Sequence, residues 1–390
     1  MLQPVHVPHR GPLPQTQFAR GAGFNIAACY SSSSLDRAYD IASEEYQAYA
    51  GFPDVQASVL AAALDDVEFA SEVATAAARI GDVVKRTHLF TYQGIRVKNE
   101  TEQPTRAYKV RGATNFILKH ADQAESAGVI TASAGNHGQA VALAATKIGI
   151  EAMVVVPEGT PEVKRVGIEA QGGRVIVFGR DYAAASQKAL EINERQHGLY
   201  VPAFDHRDIM AGQATLAAEL VEQVPDMTDL FVPVGGGGLL AGIAKYLRGT
   251  ASSVHLTGSG VSGLSAFENA KANGNIGLSA SSQFAEGIAV AQLGALTWSE
   301  IKRSEVAVAS VDEQGLKRFV GQLGLAGYVL EGAGAVSLYA ALQSEHLLTG
   351  QTVAIASGGN IDPNVLAACQ AQAALPVQAK LTDQPAFSTI

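Results

Sequence analysis

From about Tyr92 onward the chain repeats one unit: a short β-branched run, a tight turn and an Ala-rich stretch of helical length. A connection between parallel strands needs a dozen or more residues, so strands alternating with helices at this spacing fit a parallel sheet with crossover helices rather than hairpins. The runs 128–131, 152–156, 174–178, 230–234, 254–257, 306–311 and 352–356 read as buried strands. Between them, 136–148, 161–170, 182–197 and 239–247 carry apolar residues at three-and-four spacing. The expected class is α/β, with parallel sheets flanked by helices. No period of 20 to 50 residues marks a solenoid.

Forty glycines are an excess that needs explaining, because glycine gathers where backbone turns tightly or approaches a ligand closely. Four segments collect chemistry as well as glycine. In the first, 103–113, a single lysine, Lys109, opens a helix after a strand ending near Lys98 and a proline turn. An amine there is either an imine-forming nucleophile or a solvated surface lysine. In the second, Thr131-Ala132-Ser133-Ala134-Gly135-Asn136-His137-Gly138 leaves a strand and enters a helix, so its N–H groups converge on an anion such as a carboxylate, or Ser133 or Asn136 merely caps the helix.

The third segment, Pro233-Val234-Gly235-Gly236-Gly237-Gly238-Leu239, has four consecutive glycines between strand and helix and can wrap a phosphate with no Cβ in the way. Gly236, Gly238 and Ala241 also match the dinucleotide pattern G-x-G-x-x-A, the mark of an oxidoreductase. That reading lacks its ribose-binding acid, since no Asp or Glu occurs between Asp229 and Glu268. The fourth, Ala356-Ser357-Gly358-Gly359-Asn360, ends a strand and offers a hydroxyl to a ring nitrogen, or is only a turn.

Charge and cysteine content narrow the classes further. With 37 acidic and 28 basic side chains scattered along the chain there is no basic stripe to track nucleic acid, and no apolar run reaches membrane-spanning length. Cys29 and Cys369 are far apart and lack metal or redox spacing, which points to a reducing compartment, the cytoplasm. The first ~60 residues stand outside the strand–helix rhythm. They hold Pro4, Pro8, Pro12 and Pro14, then Ser31 to Ser34, then two helix-length segments. No acid precedes Asp36 while Arg10 and Arg20 do, a composition shared by organelle transit peptides and by irregular arms that pack on the main body or a partner subunit.

In their order and spacing the four segments resemble the threonine dehydratase and serine racemase family, enzymes of the tryptophan-synthase-like fold (fold type II) that use pyridoxal 5′-phosphate. The resemblance covers about Ala70 to Ala368 and includes Ala76 to Ile80, Lys85-Arg86-Thr87, Phe284-Ala285-Glu286-Gly287-Ile288-Ala289-Val290 and Glu331-Gly332-Ala333-Gly334-Ala335. It implies two α/β lobes with the cofactor between them: an extension over 1–65, a catalytic domain over 66–390, and a smaller lobe within roughly 98–204. The short stretch after Asp362 leaves no room for the C-terminal regulatory domain of biosynthetic threonine dehydratases, so control by isoleucine is not expected.

Carried over position by position, the resemblance makes Lys109 the lysine that joins the cofactor and acts as base, with Tyr108 beside the ring where the family usually has phenylalanine. Gly235, Gly236, Gly237, Gly238 and Leu239 hold the phosphate, Asn136 meets the phenolic oxygen, Ser357 the pyridine nitrogen, and Glu286 belongs to the cofactor site. Ser133, Ala134, Gly135, Asn136 and His137 take the substrate carboxylate. Gly332 replaces a usual proline. The implied activity is removal of water from a β-hydroxy amino acid, L-threonine giving 2-oxobutyrate and ammonia. Serine racemase, a dehydratase for serine or 3-hydroxyaspartate, and an inactive cofactor-binding protein are the alternatives. Racemases of the family have a serine base where Ala134 stands, and hold a divalent metal through acids that Gly258 to Ala266 lacks, so neither racemisation nor a metal site is expected. A homo-oligomer, dimer or tetramer, completes the expectation.

Overall fold

The computed structural model describes residues 32–277, 282–344 and 351–374. The proline-rich arm, Arg10, Arg20 and Cys29 lie outside the described residues. The described parts of Met1–Glu72 and Lys245–Ser252 form one compact unit, and those of Val73–Ala244 and Ser253–Ile390 a second.

In the first unit, the helix Ser32–Ala48 packs on the start of the helix Pro53–Ile80 through Ala38, Ala42, Leu60, Ala63, Leu64 and Val67. Pro53 suits a first helical turn, where its missing N–H is not needed, and Asp54 and Arg79 complement the dipole at the two ends. This helix runs without a break through positions 65 and 66. Its Asp66 receives Lys245 at 3.0 Å and Arg248 at 2.9 Å, and Asp65 also pairs with Lys245. The Lys245 side chain is 1% exposed, and a charge buried so deeply needs carboxylates of this kind beside it.

The described residues of the second unit hold ten strands in two sheets. They are β1 (Leu89–Tyr92), β2 (Ile95–Asn99), β3 (Val129–Ala132), β4 (Ala152–Val156), β5 (Arg174–Val177), β6 (Leu199–Tyr200), β7 (Met227–Pro233), β8 (His255–Val261), β9 (Val306–Val311) and β10 (Gln351–Ala356). The smaller sheet runs β5-β4-β3-β6 and is wholly parallel. The larger runs β1-β2-β10-β7-β8-β9 and is parallel except at one edge. There β1 pairs antiparallel with β2, a departure from the all-parallel expectation. Gln93 and Gly94, both at positive φ, make the two-residue turn whose twist suits a hairpin.

Inner strands β3, β4, β7 and β10 are buried along nearly their whole length, which is why they read as continuous apolar runs. Two boundaries differ from the sequence reading. Gly128, expected to begin a strand, instead ends the helix Ala121–Ala127 at φ 79, a conformation that favours glycine. The strand expected to stop at 257 continues to Val261, because Gly258 and Gly260 leave room for Phe267 and Ser265 to press against it. No helix among the described residues is long and apolar enough to cross a membrane.

Candidate active site

Three of the four sequence segments leave the carboxyl ends of parallel strands, where open α/β sheets gather their functional loops. Residues 133–136 follow β3, Val234 to Gly237 follow β7, and Ser357 to Asn360 follow β10. Lys109 follows β2 by a 3₁₀ turn, Glu100–Glu102, and opens the helix Lys109–Lys119. The loops are tied together by main-chain bonds: Tyr108 N donates to Ser357 O at 3.0 Å and Gly359 N to Arg106 O at 2.9 Å.

The Lys109 helix is anchored from beneath. Arg111, wholly buried, lies between Glu100, which takes its Nε and Nη2 at 2.8 Å each, and Glu219, which takes Nη1 at 2.7 Å. Burial pushes the Glu100 carboxyl up, but the guanidinium outweighs it and holds the acid below its usual range. Lys98 adds bonds to Glu219 at 2.6 Å and to the Thr87 carbonyl at 2.9 Å. Two residues before Arg111, the Lys109 ammonium donates to the Ala203 carbonyl at 3.0 Å and sits 5.3 Å from the Tyr108 ring centroid. Among the described residues no carboxylate pairs with it, and burial pulls it down to about 8.

The glycine segment is shaped from outside. An added Cβ at Gly236 would lie 2.4 Å from the Phe204 ring, and one at Gly238 would lie 2.9 Å from the same residue. Gly237 has φ 93 and touches Thr297, whose hydroxyl donates to Gly236 O at 2.7 Å. Consecutive N–H groups from Gly235 to Leu239 have no acceptor among the described residues, although Gly236 to Leu239 are buried. Buried backbone donors are nearly always paired, so this run asks for an anion.

Asn136 stands at the centre of the polar contacts. Its Nδ2 donates to Glu331 at 2.7 Å and its Oδ1 accepts from Asn360 at 2.8 Å, while Asn360 also donates to Thr105 O at 2.8 Å. Ser357 is buried and gives its hydrogen to Ala333 O at 3.2 Å. Ser133, half-buried, accepts from Gly135 N at 3.3 Å. Ala134 packs beside Ala142, Val154, Val156 and Ile168. His137 points its ring at the Val201 carbonyl, 3.1 Å away, and burial followed by the Lys109 charge pushes it down to about 3, so it is neutral. Glu286 lies more than half exposed and pairs with Lys164 of the helix Glu162–Glu169. At Gly332 a Cβ would fall 2.8 Å from Phe284 O, which accounts for glycine there.

Sequence reading gave no role to Glu331, Asn360, Lys164, Thr297, or the tripeptide Ala203-Phe204-Asp205. Glu331 and Asn360 sat inside quoted motifs, whereas the tripeptide carries no pattern at all; only the tertiary contacts reveal it.

The model of the family described as pyridoxal-phosphate dependent enzyme matches residues 82–358. The chain belongs to that family. This pyridoxal-phosphate-dependent enzyme is 36% identical over 286 residues to the L-threonine ammonia-lyase of Geobacter sulfurreducens, covering 72% of this chain and 71% of that one. It is likewise 36% identical over 222 residues to the biosynthetic L-threonine dehydratase of Haemophilus influenzae, covering 55% of this chain but 42% of the relative. Among solved structures it is similar to the processed form of threonine deaminase isoform 2 from Solanum lycopersicum, with TM-score 0.72, 30% identity, and coverage of 79% and 94% of the two chains. Maize serine racemase matches at TM-score 0.72 and 29% identity, with coverage of 77% and 96%. The expected family, fold class, cofactor and lyase character are borne out. The residues of the pyridoxal-phosphate-dependent enzyme also suit the cofactor: an acceptor-free array of N–H groups for a phosphate and a single weakly bonded lysine amine for an aldehyde.

Proposed function

We propose that this enzyme removes water from a β-hydroxy amino acid, with L-threonine the first candidate, and releases 2-oxobutyrate and ammonia. The observation that carries the reading is the Lys109 amine, held near neutrality on one backbone carbonyl and opening its helix where the other three loops meet. The names of the relatives support threonine as the substrate.

Pyridoxal phosphate, when bound, supplies a reactive aldehyde and an electron sink for charge left at the substrate Cα. The remaining work falls to the chain. Acceptor-free N–H groups of Gly235 to Leu239 hold the phosphate, and Asn136 has one Nδ2 hydrogen left for the phenolic oxygen. Ser357, a neutral hydroxyl, faces the ring nitrogen without the charge that would fix a proton there. Ser133, Ala134, Gly135, Asn136 and His137, at the N-terminus of the helix Asn136–Lys147, bind the substrate carboxylate through main-chain N–H groups. Tyr108 and Glu286 flank the cofactor. Lys109 then takes the Cα proton, which its depressed basicity permits at neutral pH because part of the amine is free. The electron pair left at Cα forms a Cα–Cβ double bond as the C–O bond at Cβ breaks. The departing hydroxide takes up a proton, so that the Cα hydrogen and the hydroxyl are lost together as water, and tautomerisation and hydrolysis of the remaining nitrogen bond give the 2-oxo acid and ammonia.

The same proposal assigns 66–390 to catalysis, with the smaller lobe within roughly 98–204 and an extension over 1–65, in a cytoplasmic homo-oligomer. A serine racemase is the second reading, favoured by the maize structure and opposed by Ala134, whose methyl carries no exchangeable proton. The test is purified protein with threonine, both serine enantiomers and 3-hydroxyaspartate, following 2-oxo acid, ammonia and chirality. Formation of 2-oxobutyrate, lost in Lys109→Ala along with borohydride-trapped cofactor, is the expected result. Inversion of serine by the wild type, or a trapped adduct surviving the substitution, would refute the assignment.

A further inference from the structure

Among the described residues Glu331 is the acid at which the separate motifs converge. Its Oε1 accepts from Asn136 at 2.7 Å; a Cβ built on Gly358 would lie 2.5 Å from that oxygen, and one on Gly287 would lie 3.5 Å from it. Its own N–H donates to Gly358 O at 3.2 Å, which fixes the start of the helix Gly332–Gln343 against the β10 turn. Nothing in the family chemistry set out above uses this carboxyl.

An amide side chain can face either way, and its two ends differ: oxygen accepts and nitrogen donates. Asn136 has been denied the choice. Asn360, itself held by Thr105 O, donates to the oxygen, and Glu331, which as a carboxylate cannot donate, takes one hydrogen from the nitrogen. The second Nδ2 hydrogen has no acceptor among the described residues. We propose that Glu331 is a positioning residue that, paired with Asn360, locks the Asn136 amide so that its remaining hydrogen is presented to the cofactor. This rests on the reading that the cofactor binds against Asn136.

The charge on Glu331 belongs to the same device. Burial pushes the carboxyl up to about 7, against the hydrogen bond from Asn136, with Glu286 adding to the rise and Lys164 and Arg106 opposing it. Tyr108, whose phenol is raised by burial and then by Glu331, is the other titratable neighbour, and it stays neutral throughout the physiological range. Below neutrality Glu331 carries a proton, and above it the acid is a charged, stronger acceptor.

The test is equilibrium binding of pyridoxal phosphate, read by absorbance of the bound cofactor, in a double-mutant cycle. Kd is expected to rise about tenfold in Glu331→Ala and in Asn136→Ala, as suits a lost hydrogen bond to a charged group. The double variant should be no weaker than about threefold beyond Asn136→Ala alone, because the two residues act as one. Glu331→Gln keeps an acceptor oxygen and should return Kd to within about threefold of wild type, which separates positioning from misfolding. The ratio of its Kd to that of wild type should also change about threefold or more between pH 6 and 8.5, since Lys109 titrates in both proteins and cancels in the ratio, whereas position 331 changes charge only in the wild type. Additive losses, an unchanged Kd in Glu331→Ala, or a ratio flat with pH would overturn the inference while leaving the cofactor reading intact. Wild-type protein that binds no pyridoxal phosphate would overturn both.

Discussion

Thr297 donates its hydroxyl hydrogen to the carbonyl of Gly236 at 2.7 Å, joining the glycine segment to the helix Ala295–Lys302. That helix is in turn capped by Asp205, which accepts from Ala295 N and Thr297 N at 3.0 Å each. The neighbours of Asp205 face the same site: Phe204 presses on Gly236 and Gly238, and Ala203 O receives Lys109. One tripeptide thus sets the position of the lysine, the glycine segment and the helix behind it.

Gly236→Ala should therefore fail for a local reason. Its methyl would meet the Phe204 ring at 2.4 Å, and overpacking of this kind costs about 1–3 kcal/mol. Urea unfolding should show the loss, pyridoxal phosphate should bind more weakly, and Phe204→Leu in the same chain should recover part of both.

Lys109 gives the apo-protein a signature in alkaline pH. Its value is pulled from 10.5 to about 8 by burial, so between these limits the unfolded chain binds more protons than the folded one. Stability should then rise as pH climbs from about 8 to 10.5, and the penalty should be fully present below 8. Thermal unfolding of wild type and Lys109→Met across this range checks it: the rise should be smaller in the variant, and equal slopes would show that the amine is not depressed.

Glu100→Ala should be among the most damaging single changes outside the cofactor's reach. It would leave the Arg111 guanidinium, wholly buried, with Glu219 as its single carboxylate partner, and breaking a buried pair in this way costs about 3–5 kcal/mol. Chemical denaturation should report a loss of that size, and the Lys109 helix should lose amide-exchange protection with it.

The Lys164–Glu286 pair should behave oppositely. Glu286 is 61% exposed, and exposed ion pairs contribute about 0–1 kcal/mol. Lys164→Ala should unfold at nearly the wild-type denaturant midpoint. A large shift would mean that the pair is shielded from solvent.

Local physics explains how much could be read from the sequence. Strands such as Ala152–Val156 are buried on both faces and so advertise themselves as unbroken apolar runs, and Gly235 to Gly238 can only be tolerated where backbone must lie bare. Lys109 and Asn136 were likewise legible, because each sits at a strand-to-helix junction within a short motif. The sequence determined the α/β alternation, the helix-opening lysine and the bare glycine turn between β7 and its helix. Tertiary structure alone decided that Glu331 would face Asn136 across 195 positions, that Glu219 would share Arg111 with Glu100, and that Ala203-Phe204-Asp205 would brace the site. Hydrogen-bond partners distant in sequence leave no periodicity and need no particular neighbours. What selects them is the burial of polar groups that must be satisfied, and which groups those are is settled only when the chain closes around them.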